Sequence, residues 1–225
     1  MIIKPPAEDS RPAAVTPFSS PLYIEPTPTR PKRSTVLVFG VDSFDDQSSG
    51  TLLTAWLITF GSSDETIELT GIPIDTLLPD GKTLRDSFSL FEPPDFGARL
   101  ISNMSAFTPY PIQGFVVLDR IGFAHLIDYL GGFKLGDQVY DGSRALVALS
   151  LLESNPYESL KLQMQILQAM VNEAPALGRT PEVTPLTTLI PDHAFTSPAA
   201  AQLTTMAIPL LPINPEQISI QLWPD

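Results

Sequence analysis

Runs of apolar and β-branched residues predict strands at five places along the chain. The first run, from Ser34 to Asp42, is continuous, which is typical of a buried strand, and it ends on a carboxylate. A Gly-Ser-Ser-Asp turn at residues 61–64 separates the second run from the third, so these two are predicted to form an antiparallel hairpin. The predicted strands occupy residues 34–42, 51–60, 66–69, 113–119 and 218–223.

Between these strands, apolar residues recur at the spacing of an α-helix. In its longest example Leu160, Met164, Leu167 and Val171 are spaced by 4, 3 and 4 positions, which indicates one core-facing stripe. Predicted helices occupy residues 97–107, 122–130, 142–153 and 158–173, and a final helix is predicted to begin at Ser197-Pro198. Residues 174–197 are predicted to be a Pro- and Thr-rich connection.

Strands interleaved with helices indicate an α/β or α+β layered domain, and the hairpin indicates a mixed sheet. This domain is predicted to span residues 34–225. Residues 1–33 are rich in proline, lack apolar periodicity and are predicted to form a flexible or extended arm. The basic cluster at residues 30–33 favours either contact with an anionic membrane surface or a solvated linker.

The charge balance excludes one class of partner. The chain carries a net charge of −12, and without residues 1–33 the balance is −14. Affinity for nucleic acid comes mainly from clustered Lys and Arg, so DNA and RNA are not expected partners. The sequence contains no cysteine, which excludes thiolate chemistry, and no apolar run of about 18 residues predicts a membrane span.

The order of several short segments resembles the LytR-CpsA-Psr family over residues 34–172, and the tail from Thr196 is assigned to the same domain. These segments are Gly40-Val41-Asp42-Ser43, Thr51-Leu52-Leu53, Gly71-Ile72-Pro73-Ile74-Asp75-Thr76, Gly122-Phe123, Ile127-Asp128-Tyr129-Leu130-Gly131-Gly132, Asp141-Gly142 and Ala145-Leu146.

The resemblance implies an α-β-α layered fold with a central mixed sheet. It also implies the family's reaction, in which membrane-anchored extracytoplasmic enzymes use Mg²⁺ to transfer glycopolymers from a polyisoprenyl pyrophosphate to the cell wall or to protein. The expected location is therefore the extracytoplasmic face of the membrane. Since no anchor is predicted in this sequence, either an anchor has been removed, or the protein reaches the envelope differently, or it stays in the cytoplasm.

The chain departs from the family at the residues that hold phosphate. The family's Arg-Ser-Asp-Thr segment corresponds to residues 48–51, Ser-Ser-Gly-Thr, and Ile74 stands where a guanidinium is expected. The family's later arginines fall near Ser150, Leu152, Ser159 and Leu162. Removing even one such donor typically costs about 10²-fold in rate, so these losses predict a catalytically impaired domain.

A few residues remain as candidates for the site. The resemblance assigns Asp42 and Asp75 to the family's carboxylate positions, where they are the candidate Mg²⁺ ligands, while strand-end aspartates also cap turns. The candidate replacements for the missing arginines are Arg85, Arg99, Arg120 and Arg144. The candidate lining of a lipid-tail groove, or of an ordinary core, is Phe39, Trp56, Leu57, Phe60, Phe88, Phe91, Phe115, Phe123, Leu126 and Phe133.

Three functions follow from these residues. The first is a catalytically impaired cell-envelope domain that binds a polyisoprenoid lipid, a glycopolymer or a protein partner. The second is an active Mg²⁺-dependent phosphotransferase or pyrophosphatase built on Asp42 and Asp75. The third is a structural module that docks through its Pro-rich arm. The oligomeric state stays open, and neither His125 nor His193 has the spacing of a hydrolase triad.

Overall fold

The apolar run that begins the predicted domain forms strand β1, Arg33–Val41. The computed structural model describes residues 33–44, 50–61, 66–88, 96–173, 184–197 and 214–223. The predicted arm lies outside these residues except for its last residue, Arg33, which belongs to β1. Arg33 donates to the Glu68 carboxylate at 2.8 Å and to the Thr66 hydroxyl at 2.5 Å, so this member of the basic cluster is bound to the sheet.

The predicted mixed sheet is confirmed, and it has six strands. Beside β1 it contains β2, Leu52–Gly61, β3, Ile67–Ile72, β4, Ile112–Leu118, β7, Ala194–Thr196, and β8, Ile218–Leu222. Their order is β7-β4-β1-β2-β3-β8. The β1–β2, β2–β3 and β4–β7 pairs are antiparallel, and the β1–β4 and β3–β8 pairs are parallel.

The sequence pattern predicts four of the six α-helices described and misses two short ones, at residues 84–87 and, within the predicted connection, at residues 184–187. The six are α1, Leu84–Ser87, α2, Phe96–Met104, α3, Arg120–Tyr129, α4, Gly142–Ser150, α5, Pro156–Glu173, and α6, Thr184–Thr187, with short 3₁₀ helices at Ser105–Phe107 and Pro215–Gln217. Helix α3 ends before Gly131 and Gly132, which both have φ of +83°, a conformation that glycine adopts without strain. Within the described ranges, no helix is both long and apolar enough to cross a bilayer.

The two faces of the sheet bury different clusters. Leu37 and Phe39 of β1 pack in one cluster with Leu84 of α1 and Met104 of α2. On the other side, helices α3, α4 and α5 and the segment of residues 133–140 share a cluster of Ile127, Phe133, Ala145, Ile166, Ala169 and Met170. Helices therefore cover the sheet on both sides, which confirms the α-β-α architecture.

Two parts of the sequence prediction are wrong. Residues 174–197 are not simply a connection, because Ala194–Thr196 forms β7 against residues 116–118 of β4. Residues 133–140 contain a small hairpin of β5, Phe133–Leu135, and β6, Gln138–Tyr140. Strands of three residues are too short for a periodicity, and tertiary pairing determines them. Ser197 accepts a hydrogen bond from the Phe115 amide at 3.2 Å, and the helix predicted to follow it lies outside the described residues.

Candidate functional site

Three strands bring acidic residues to one edge of the sheet. Strands β1, β3 and β4 run in the same direction, since β2 is antiparallel to both β1 and β3 and β4 is parallel to β1. Asp42 follows β1, Asp75 lies three residues after β3, and Asp119 follows β4. This carboxyl edge is where ligands bind in many layered α/β proteins.

The carboxylate of Asp42 holds the connection between β1 and β2. Its Oδ1 accepts hydrogen bonds from the Ser43 amide at 2.8 Å and the Thr51 amide at 2.6 Å. The Asp42 amide in turn donates to the Thr51 carbonyl at 3.1 Å. Asp42 therefore has a structural role at the place where the resemblance puts a metal ligand.

Asp75 is paired with Arg85. Arg85 Nη2 lies 3.3 Å from Asp75 Oδ1, and both side chains are exposed, to 40% and 60%. The Arg85 amide also donates to the Ile74 carbonyl at 2.9 Å, which fixes α1 beside the end of β3. Ile74 itself is buried and extends an apolar wall at the position where the family resemblance expects a guanidinium.

The donor set at this edge does not fit a resident Mg²⁺ ion. One oxygen of Asp42 is engaged by two backbone amides, and the Asp75 carboxylate faces a guanidinium. Within the described ranges, no three His, Asp or Glu side chains are grouped so that they could hold a metal ion.

Arg120 forms a second ion pair at this edge. Its Nη2 lies 2.7 Å from Oε1 of Glu153, which joins the first residue of α3 to the turn after α4. Sequence reasoning included Arg120 among the candidate arginines but missed Glu153. The Nε of Arg120 is buried and has no hydrogen-bond partner among the described residues.

The other two candidate arginines lie elsewhere. Arg144 donates from Nη1 to the Val139 carbonyl at 3.0 Å and borders a shallow hollow that also contains Tyr140 and Val147. Arg99 lies on α2 and is exposed. Of the four candidate arginines, the structure therefore brings Arg85 and Arg120 together at one cavity and leaves Arg144 and Arg99 outside it.

Asp119 is buried and ties the start of α3 to a distant loop. Its Oδ1 accepts from the Gly122 amide at 2.7 Å and thereby caps the helix, and its Oδ2 lies 2.9 Å from His193 Nδ1. The Asp119 amide also donates to the His193 carbonyl at 3.2 Å. No spacing in the sequence indicates this pair, because its members are 74 positions apart.

A cavity of about 430 Å³ lies between the sheet and helices α3, α4 and α5. On its sheet side, Val38 of β1 is flanked in register by Trp56 of β2 and Val116 of β4, so these three side chains share one face. The further apolar lining is Ile58, Leu69, Ile74, Leu118, Phe123, Leu126, Leu146, Leu149 and Leu167.

The predicted groove residues divide between this cavity and the core. Trp56, Phe123 and Leu126 line the cavity, and Phe39 borders it while belonging to the core cluster on the opposite side of the sheet. Leu57, Phe88 and Phe115 belong to the core cluster on the opposite side of the sheet, and Phe133 belongs to the helix cluster. Phe60 does not line the cavity, and Phe91 lies outside the described residues.

The polar side chains inside the cavity are neutral and bonded to one another. Gln163 Oε1 accepts from the Thr54 hydroxyl at 2.5 Å and from Trp56 Nε1 at 3.1 Å, and Gln163 Nε2 donates to the Ser159 hydroxyl at 3.4 Å. Ser159 and Ser150, two of the positions where family arginines are expected, both line the cavity. Both side chains present a neutral hydroxyl.

Several solved structures share this arrangement of strands and helices. TagV from Bacillus subtilis superimposes with a TM-score of 0.61 at 16% identity, over 86% of this chain and 85% of TagV. A LytR-Csp2A-Psr enzyme from Actinomyces oris gives a TM-score of 0.61 at 14% identity, over 85% of this chain and 80% of the enzyme. The chain has the LytR-CpsA-Psr fold.

A third structure with the LytR-CpsA-Psr fold is TagT bound to LIIa-WTA. It matches with a TM-score of 0.61 at 15% identity, over 85% of this chain and 78% of TagT. The sequence matches no protein-family model, and no curated protein matches it. At these identities the likeness concerns the fold alone.

The mouth of the cavity carries balanced charges. Among the described residues that line the cavity, the cations are Arg85 and Arg120 and the carboxylates are Asp119 and Glu153. Arg85 is paired with Asp75 and Arg120 with Glu153, while Asp119 is bonded to His193. In this domain an apolar cavity thus opens at an edge whose guanidinium groups are each paired with a carboxylate.

Proposed function

We propose that this domain binds the apolar chain of a polyisoprenoid lipid at the cell envelope and does not transfer glycopolymer. The observation that carries the proposal is the apolar cavity between the sheet and α3 to α5. Its volume of about 430 Å³ is in the usual range for small-molecule sites, roughly 300–1,000 Å³. Lipid-chain binding is supported by the lining, because aliphatic and aromatic side chains gain free energy when an apolar chain displaces water from them.

The nature of the fold supports the choice of a lipid carrier over other apolar ligands. TagT, which shares the fold, is described in its complex with LIIa-WTA. We infer that a polyisoprenoid chain, the apolar part of such a carrier, is the class of ligand that enters this cavity. The location at the envelope follows from the same inference.

Loss of transferase activity is supported by the residues at the cavity mouth. Ile74 has no hydrogen-bond donor in its side chain, and Ser150 and Ser159 have a neutral hydroxyl where forked guanidinium donors would be needed to hold a pyrophosphate. Each missing charge-stabilising donor costs about 10²-fold in rate at sites of this kind. With several such donors missing, the pyrophosphate leaving group is not stabilised enough for transfer.

The purified domain is therefore expected to release no phosphate or pyrophosphate from a polyprenyl pyrophosphate in the presence of Mg²⁺. The measurement is a coupled phosphate assay in which the Asp75→Ala variant serves as the control, because Asp75 is the exposed carboxylate that an enzyme of this type would use. Mg²⁺-dependent turnover by the native domain that the variant lacks would establish the phosphotransferase or pyrophosphatase instead.

A second expectation concerns the cavity itself. Leu146 and Val147 are neighbours on α4, but Leu146 lines the cavity and Val147 is 62% exposed. Leu146→Trp should fill the space and lower the affinity for radiolabelled geranylgeraniol, delivered from cyclodextrin, by about tenfold or more, which corresponds to roughly 1.4 kcal/mol. Val147→Trp adds the same side chain outside the cavity and should leave the affinity unchanged.

Thermal unfolding of both tryptophan variants checks that each is folded before binding is compared. Equal binding by Leu146→Trp and Val147→Trp would locate the lipid elsewhere and contradict the proposal.

A further inference from the structure

Both guanidinium groups at the cavity mouth already have a carboxylate partner. Arg120 and Glu153 approach to 2.7 Å and are about one third and two fifths exposed, while Arg85 and Asp75 approach to 3.3 Å and are more exposed. A phosphorylated head group would compete with these carboxylates for the two guanidinium groups. Each carboxylate would also lie close to the incoming anion and repel it.

We propose that the head group of the lipid bound here is uncharged, as in a polyprenol or a comparable neutral amphiphile, and that a pyrophosphate is selected against. This inference rests on the proposed function, since it assumes that the cavity holds an apolar chain. The inference concerns only the head group attached to the apolar chain of the lipid.

The charges around the carboxyl edge support an uncharged ligand. The two arginines share this edge with four carboxylates, those of Asp42, Asp75, Asp119 and Glu153. These two guanidinium groups and four carboxylates carry a formal net charge of about −2 before any ligand arrives. Pyrophosphate adds further negative charge, whereas an alcohol adds none and requires no ion pair to break.

A neutral hydroxyl at the cavity suits an oxygen that forms a single uncharged hydrogen bond. Ser150 lines the cavity, donates its hydroxyl to the Val147 carbonyl at 2.8 Å and keeps lone pairs for a donor from the ligand. One acceptor satisfies the hydroxyl of an alcohol, while a pyrophosphate requires several charged donors.

The test compares three ligands with the same C20 chain: geranylgeraniol, geranylgeranyl phosphate and geranylgeranyl pyrophosphate, each with and without Mg²⁺. The alcohol is expected to bind most tightly, and the pyrophosphate roughly tenfold or more weakly. Glu153→Gln removes the negative charge next to Arg120 and should raise the affinity for the pyrophosphate relative to the alcohol by about tenfold.

Glu158→Gln is the matched control, because it removes the same kind of carboxylate from an ion pair with Lys161 that does not line the cavity. Its ratio of alcohol to pyrophosphate affinity should equal that of the native domain. Binding of the pyrophosphate as tightly as the alcohol, in either metal condition, would overturn the inference while leaving the lipid-binding function in place. Binding of none of the three ligands would overturn the lipid-binding function and the inference with it.

Discussion

Replacing Gly142 by alanine is expected to lower the free energy of unfolding by about 3 kcal/mol. A Cβ at residue 142 would lie 2.3 Å from the Ala124 carbonyl oxygen and 2.7 Å from its carbonyl carbon, so the first turn of α4 and the middle of α3 would have to separate. Backbone atoms of a packed helix cannot yield as the end of a side chain can. For a domain of this size, a loss of this magnitude lowers the Tm by about 6–12 °C.

Ser143→Ala is the control for this substitution. Ser143 is the next residue of the same helical turn, and it is exposed. Its replacement should change the Tm by only a degree or two, because exposed substitutions away from special features stay within about 0.5 kcal/mol. If Gly142→Ala melts at the temperature of the native domain in calorimetry, the close α3–α4 packing described above is wrong.

Replacing Asp119 by alanine is expected to cost about 3 kcal/mol as well, for a different reason. The substitution removes the N-cap of α3, worth about 1 kcal/mol, and a charge-assisted hydrogen bond to His193, worth about 1.5–3 kcal/mol. It also leaves the Gly122 amide without its acceptor in a buried place. The measurement is chemical denaturation of the native and variant domains in parallel.

Asp141→Ala separates the two contributions. Asp141 caps α4 through the Arg144 amide at 2.8 Å but is exposed and has no comparable histidine contact among the described residues, so its loss should cost only about 1 kcal/mol. The double variant of Asp119→Ala with His193→Ala should be less destabilised than the sum of the two single variants. Equal costs for Asp119→Ala and Asp141→Ala would show that the His193 contact contributes nothing to stability.

The strands and helices that were predicted correctly are those whose own residues determine them. The β-branched run of β1 can be buried only as a central strand, and the turn at residues 61–64 joins neighbours that pair directly. Asp141 and Asp119 are in addition the kinds of residue that cap a helix start. A short local stretch of sequence contains the necessary information in each of these cases.

The site was predicted less completely because ion pairs depend on distances across the fold. Arg85 and Arg144 looked equivalent in the sequence, but only Arg85 lies at the cavity, while Arg144 donates to a carbonyl of the β5–β6 hairpin. Glu153 follows α4, and its sequence context indicates only a solvent-exposed acid. Its role becomes visible when the fold places Arg120 beside it. The apolar periodicity shows which face of a helix a residue occupies, but it does not show which residue of another helix lies next to it.

The position of β8 determines when the domain can finish folding. This last strand pairs with β3, and the Thr70 and Gln221 side chains that meet across the pair are 151 positions apart. Closing so long a loop costs little more free energy than closing one half its length, roughly 0.6 kcal/mol, but such distant contacts slow folding. During synthesis the outer edge of β3 therefore stays without its partner strand until residues 218–222 have left the ribosome, and in that interval it is the edge most open to pairing with another chain.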